Sequence, residues 1–589
     1  MRTVPKTGPE PDIAVTTPGG APHWALLERQ LLDAQAKACA AFYARYFDDR
    51  GYLLCVPRWS GDDGPDDAAE NLLNWPMLHA LGASDEVLRL YKRGWEGHLL
   101  QYTEARTTEV PLGREGMYYK EFHACFDWFH HGEALNAFVL QGLSDPDDAA
   151  YARRLRRWAG LYMGEDAQAQ NWDDEHRIIR SMFNGSRGPL LRKATALDWA
   201  GDPIEVAGRF RAGHGEGSFD EMLEHFREYT DVVGDHPINL GATTLAFNAY
   251  AVTGEAKYRD WLLRYVDAWA ERTEANDGLI PTNVGLDGTI GGEYGWWGGV
   301  YGWGFTVDQV PLNGQKAHRP AFQNRCHYGF ANALLLTGER RYVDLWRRMY
   351  DRVNANKKEA GGQTLYPHMY GPDGWYEFSP RPFAPGAHEL YYWTLDRSLL
   401  DLSPAPSRWY AYLEGRDPAY PVEALQADLE RVRQRVALMR ADDRAPDCTM
   451  SDDPNRMNPA ATEALVELML GGLPTGRNGY PLHCRLRYFD PARRRAGLPE
   501  GVAALVERMT ETAVTVSLVN LDPVEPRRVI VQGGAYAEHR IGRVAAADGQ
   551  TAQVDGTHFA VELAPGAGTR LALEVRRYAN PPRMGFPWF

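Results

Sequence analysis

Glu293 precedes a run in which aromatic side chains alternate with glycine, Glu293-Tyr294-Gly295-Trp296-Trp297-Gly298-Gly299-Val300-Tyr301-Gly302-Trp303. Glycine lets the backbone take positive φ and pass close to a ligand. Trp and Tyr offer flat apolar faces with a polar edge. Together they read as a sugar platform: Trp297, Tyr301 and Trp303 stack on a pyranose, and Glu293 takes its hydroxyls. The plainer alternative is a glycine–aromatic corner packed inside the protein without a ligand.

The densest polar run lies between Asn171 and Pro189 and contains Asp174, His176, Arg180, Asn184 and Arg187. Arginine suits bidentate capture of a carboxylate or sulfate. A salt-bridged surface loop explains the same composition. Asn184-Gly185-Ser186 fits a glycosylation acceptor and is read here as a turn. Upstream, Tyr118 to His123 leads into Asp127-Trp128-Phe129-His130-His131-Gly132-Glu133. If this stretch is helical, His123, Asp127 and His130 or His131 share a face. Such a face could hold a metal, form a buried network, or meet sugar through His123 and Tyr119. The last is preferred, and neither a metal nor a cofactor is expected. Asp235-His236-Pro237 reads as a helix start, either a simple cap or a pair aimed inward from a cavity rim. Tyr366 to Tyr370, Trp375 to Glu377 and His388 to Trp393 repeat the mixture of rings and acid–base groups.

Two reactions fit these groups. Glycoside hydrolysis needs a carboxylic acid to protonate the leaving oxygen and a second carboxylate as base or nucleophile. Glu293 or Asp235 would be the acid and Asp174 the partner. β-Elimination at a uronic acid needs a base such as Tyr301, His176 or His236, with Asn184 and Arg180 neutralising the uronate. A sugar isomerase or epimerase using a histidine pair, and a non-catalytic sugar-binding protein, complete the alternatives. No phosphate-binding loop, dinucleotide fingerprint or G-x-S-x-G elbow occurs.

These groups need elements to hold them. Asn248 to Asp260 aligns without gaps with Asn332 to Asp344, sharing Asn-Ala at the start and Thr-Gly-Glu-x-x-Tyr-x-Asp after it. Each copy reads as helix, glycine turn, helix, with Gly254 and Gly338 at the helix C-cap. Weaker copies begin at Leu72 and Asn136, a helix runs from about Trp24 to Phe47, and a further pair spans Val422 to Met439 and Ala460 to Leu470. Repeated hairpins imply stacked neighbours on a shared core. Turns within hairpins are short and connections between them long, which puts the long connections at one end of the assembly. From Thr510 the period becomes that of strands, at 513–520, 528–532, 559–563 and 569–575.

The Thr-Gly-Glu hairpins, the glycine–aromatic loop and the terminal β segment resemble the (α/α)-toroid carbohydrate-active enzymes, the six-hairpin glycosidase superfamily. The resemblance covers about residues 24–577 and matches no single family. It implies a mainly α fold: an N-terminal arm at 1–23, an (α/α) toroid at 24–500 with a central site, and a small antiparallel β domain at 501–589. It also implies a glycoside hydrolase, a polysaccharide lyase or a sugar isomerase. Many lyases of this architecture carry a much larger β-sandwich, so the resemblance favours hydrolysis; the expected substrate is an oligosaccharide bearing acidic groups.

Composition sets bounds on partners. The chain has 589 residues, 44 % hydrophobic and 12 % aromatic, with a net charge of −15. That charge disfavours nucleic acid and anionic membranes as partners. Six scattered cysteines make neither a disulfide scaffold nor a zinc-finger pattern. Met1 to Pro22 lacks an apolar signal core, so the expected location is cytoplasmic. The expected partner is an oligosaccharide, with a homodimer left open.

Overall fold

The computed structural model describes residues 12–56, 64–106, 114–192, 232–292, 327–371, 374–403, 406–476 and 478–588, with the short strands Asp308–Gln309 and Lys316–Ala317. Helices dominate up to Leu470. They are α1 (His23–Tyr46), α2 (Pro65–Glu70), α3 (Trp75–Leu81), α4 (Asp85–Glu104), α5 (Trp128–Ser144), α6 (Ala149–Tyr162), α7 (Thr243–Thr253) and α8 (Ala256–Ala275). After them come α9 (Tyr328–Thr337), α10 (Arg341–Asn354), α11 (Ala387–Thr394), α12 (Ser398–Leu402), α13 (Arg408–Leu413), α14 (Tyr420–Ala441) and α15 (Glu463–Leu470).

The repeated hairpins fold alike. α7 ends on Gly254 at φ 71° and α9 on Gly338 at φ 72°, both left-handed. Thr253 Oγ1 donates to Ala249 O and accepts from Glu255 N, and Thr337 Oγ1 treats Ala333 O and Glu339 N in the same way. A third copy escaped the sequence comparison. At the end of α11, Thr394 Oγ1 bonds Leu390 O and Asp396 N, but Leu395 takes the left-handed position at φ 57°.

Helix composition sorts the layers. α7 and α9 are buried over most of their length, as helices apolar on all sides must be. α10 buries only the stripe of Tyr342, Val343, Leu345, Trp346, Met349, Tyr350 and Val353. α5 packs against α3 and α7, and α7 against α9. α15 touches both α3 and α14, and α14 lies along α1. Among the described residues no helix is long and apolar enough to cross a membrane.

The β region forms two five-stranded sheets. One runs Ile13–Val15, His558–Leu563, Arg527–Gly533, Leu486–Asp490 and Arg495–Ala496; the other runs Val502–Met509, Ala513–Asn520, Gly568–Arg576, Arg540–Ala546 and Thr551–Gly556. The strands therefore begin at Leu486, ahead of position 501, and the arm contributes Ile13–Val15 by parallel pairing with Val561–Leu563. Leu486–Asp490 is buried at every position, so it lacks the alternation that marks a strand in sequence. Phe586 and Trp588 stack on each other and pack against Phe489.

The sheets close one end of the helices. Arg495 Nη2 donates to His79 O and Ala83 O at the end of α3 (3.0 and 2.7 Å). Arg487 reaches Leu143 O at the end of α5. Arg485 and Arg577 take Tyr392 O and Trp393 O of α11 (3.0 and 2.9 Å), and Tyr488 OH takes Met469 O of α15 (2.7 Å). Met584 N donates to Ala251 O of α7 (2.7 Å). The last carbonyls of a helix lack internal partners and carry its negative pole, so buried arginines satisfy both needs. These helices therefore point the same way, with their N-terminal ends away from the sheets.

Glu28 on α1 makes another junction. It is 1 % exposed, and its Oε1 accepts from Ala504 N at 3.1 Å. Burial raises its pKa from the ordinary 4.5 to about 8, against the pull of the Ala504 amide and Arg29. Between these two values the folded chain holds a proton the unfolded chain has lost, so stability falls as pH rises through that window. Glu28→Gln keeps an acceptor and removes the titration. Urea denaturation should show it more stable than wild type by roughly 2–4 kcal/mol at about pH 8.5 and nearly equal at about pH 5.

Candidate functional site

α5 starts where Asp127 caps it, its Oδ1 accepting from His130 N at 3.2 Å. The other carboxylate oxygen bonds His130 Nδ1 at 2.7 Å, which fixes the ring and leaves Nε2 as its other donor atom. Glu133 lies one turn on, at i+3 on the same face. α2 packs against α5 and adds Asp66 from its first turn. One ligand atom from each of Asp66, His130 and Glu133 lies within 4.8 Å of the others. Asp66 and Asp127 are buried, while His130 and Glu133 are half-buried and reachable.

The charges of the cluster act on one another. Burial lowers the affinity of His130 for its proton, but Asp127, Asp66 and Glu133 more than reverse this and lift its pKa to about 9. Burial raises the Asp66 carboxyl, with His130 the strongest charge opposing it. Burial and the Asp66, Asp452 and Glu133 carboxylates push Asp67 well above the usual range.

A buried hydrogen-bond network adjoins this cluster. The Phe126 ring lies 4.3 Å from that of His130, and the Phe126 backbone pairs with Asn184. Asn184 Oδ1 accepts from Tyr162 OH at 2.6 Å, and its Nδ2 donates to Asn239 Oδ1 at 3.0 Å. Asn239 Nδ2 donates in turn to Asp235 Oδ1 at 2.9 Å. Asp235 also accepts from Tyr265 OH and from the amides of His236 and Ile179. Burial raises its pKa to about 6 despite those donors. His131 Nε2 donates to Asn184 O at 2.8 Å, which leaves its Nδ1 to accept from His123 Nδ1 at 2.8 Å. His123 and His236 are both buried, and burial holds both rings neutral.

The structure thus brings Asp235, Asn184 and His123 into one interior network, to which the buried His236 is joined through its backbone amide. His123 sits on a short strand paired with Tyr118 rather than on the helix, because Asp127 starts α5 four residues later. The remaining expected residues lie elsewhere. Asp174 is on the surface, paired with Arg264 and bonded by Trp172 Nε1 at 3.2 Å, and its side chain is 75 % exposed. Among the described residues it shares no hydrogen-bond partner with Asp235. His176 bonds Asp173 at 3.1 Å, and Arg180 reaches Gln170 O at 3.5 Å. Arg187 pairs with Glu115 at 2.8 Å and lies over the Tyr119 ring, lining a cavity of about 250 Å³ with Arg114 and Cys125. Tyr119 OH donates to Gln168 at 3.0 Å. Glu293, Trp297, Tyr301 and Trp303 lie outside the described residues.

Asp66 and Glu133 were missed as site residues. The i, i+3, i+6 spacing of Asp127, His130 and Glu133 was available as a signal. For Asp66 the signal was weaker: a proline followed by two acids at a helix start, which ordinarily means only a cap.

The chain belongs to the family described as a domain of unknown function (DUF8034), whose model matches residues 12–404 and 403–466. No curated protein matches it. Among solved structures, one described as D-mannose isomerase is 12 % identical with a TM-score of 0.36, over 63 % of this chain and 83 % of its own. A cellobiose 2-epimerase from Spirochaeta thermophila DSM 6192 is 15 % identical with a TM-score of 0.20, over 60 % and 90 %. Likeness this low supports no conclusion about mechanism.

The interior and surface residues should respond differently to truncation. Asn184→Ala strands Tyr162 OH and Asn239 in the interior and should cost roughly 2–4 kcal/mol in a denaturant titration. Asp174→Ala should leave the thermal midpoint unchanged, because exposed ion pairs contribute little.

Proposed function

We propose that this protein is a carbohydrate-active enzyme that hydrolyses glycosidic bonds, with its reaction centre at Asp66, Asp127, His130 and Glu133. The observation that carries this reading is the meeting of Asp66, His130 and Glu133 at the start of α5, with Asp127 fixing the imidazole. We read the helices as an (α/α) toroid. Its support is the shared direction of α3, α5, α7, α11 and α15, together with contacts that return from α15 to α3. The sheets cover the C-terminal ends, so the N-terminal ends and the long connections are left for substrate.

Sugar as substrate is supported by flat rings on those connections. Tyr366, Tyr370, Trp375 and Tyr376 lie half-buried on the hairpin 363–379. Hydrolysis is favoured over elimination because carboxyl groups gather at the cluster, whereas His176 and Arg180 are bonded elsewhere. Carboxyl oxygens within 4.8 Å of one another match the close spacing of a nucleophile–acid pair. One carboxylate bonds to the anomeric carbon as the other, protonated, hands its proton to the leaving oxygen; water that this second group deprotonates then displaces the first carboxylate and releases the sugar.

Incubation with neutral and uronic-acid oligosaccharides tests this reading. New reducing ends should form without the absorbance of a conjugated unsaturated uronate, and Glu133→Gln should lower kcat by roughly 10²–10⁴-fold. Unsaturated products would mean elimination. Aldose–ketose exchange or epimerisation without cleavage would replace hydrolysis by isomerisation.

A further inference from the structure

The side chains that meet at the start of α5 are also a set of metal ligands. We propose that Asp66, His130 and Glu133 bind one divalent cation of the first transition row, Mn²⁺ or Zn²⁺. The inference shares its site with the hydrolytic reading and rests on it only for a role in turnover.

Three observations carry it. First, two carboxylate oxygens and one imidazole nitrogen lie within 4.8 Å of one another. Ligands about 2.0–2.2 Å from a common centre are about 3–4 Å apart, so small side-chain movements would close the shell. Second, Asp127 stands outside the ligand set and holds His130 Nδ1 at 2.7 Å. A carboxylate on the far nitrogen is the arrangement that orients a metal-binding imidazole. Third, Asp66 is 5 % exposed, and no side chain among the described residues donates a hydrogen bond to it. The carboxylate is within reach of His130 and Glu133. In the empty site His130 is the strongest positive charge acting on that carboxylate, and a bound cation would take over that role.

The donor set selects the ion. Two carboxylates and an imidazole that releases its proton on binding balance a dication. Mixed nitrogen and oxygen donors without thiolate favour Mn²⁺ or Zn²⁺ over the all-oxygen sites of Ca²⁺ and the thiolate sites of Cu⁺.

The test is calorimetric titration of the chelator-stripped chain with MnCl₂ and, separately, ZnCl₂, followed by metal analysis after gel filtration. One equivalent of at least one ion should bind. Glu133→Gln and His130→Ala should weaken it at least tenfold while keeping the circular dichroism of stripped wild type. If His130→Ala does not fold, the half-buried Glu133→Gln decides. No binding at one equivalent, or equal binding by the folded variants, overturns the site. A wild type that cuts sugar without binding either ion overturns the cation alone, and one that binds the ion but cuts nothing overturns the hydrolytic reading alone.

Discussion

The architecture depends on how helix C-termini are satisfied. The ends of α3, α5, α7, α11 and α15 are buried, and a buried carbonyl without a partner is costly. Arg485, Arg487, Arg495, Arg577, Tyr488 and the Met584 amide supply the donors from the β side. Guanidinium groups also suit the negative pole of a helix. Once that end is closed, the opposite end carries the helix starts, and Asp127 and His130 stand there.

Much of the helical frame was legible because its signals are local. Thr-Gly-Glu at 253–255 and 337–339 encodes a hydroxyl bonded back to its own helix and a left-handed residue after it, and both act within a few positions. The copy at Thr394 was hidden because Leu395 takes the glycine's place. The strands at 513–520 and 558–563 were visible from their alternation. Leu486–Asp490, buried on both faces, could not show that signal.

The site was less legible because it depends on contacts between distant segments. Asp66 and Glu133 meet only because α2 packs on α5, and no spacing rule links them. Asp174 and Asp235 look alike as acids beside histidines. Folding sends one to solvent beside Arg264 and encloses the other among four donors. Asn184 suggested ligand binding by its neighbours in sequence, yet its amide is used up in tying α6 to the segment before α7.

The parallel pairing of Ile13–Val15 with Val561–Leu563 has a kinetic consequence. Residues 13–15 leave the ribosome early, but their partner strand is synthesised more than five hundred residues later. Until then this edge cannot form, and Arg487 and Arg495 follow the helix ends they cap by 344 and 416 residues. Such long-range closure is slow and leaves apolar surface uncovered in the interim. The nascent helical region is thus a stretch on which a holding chaperone would act, and release from it should await translation of the final sheet.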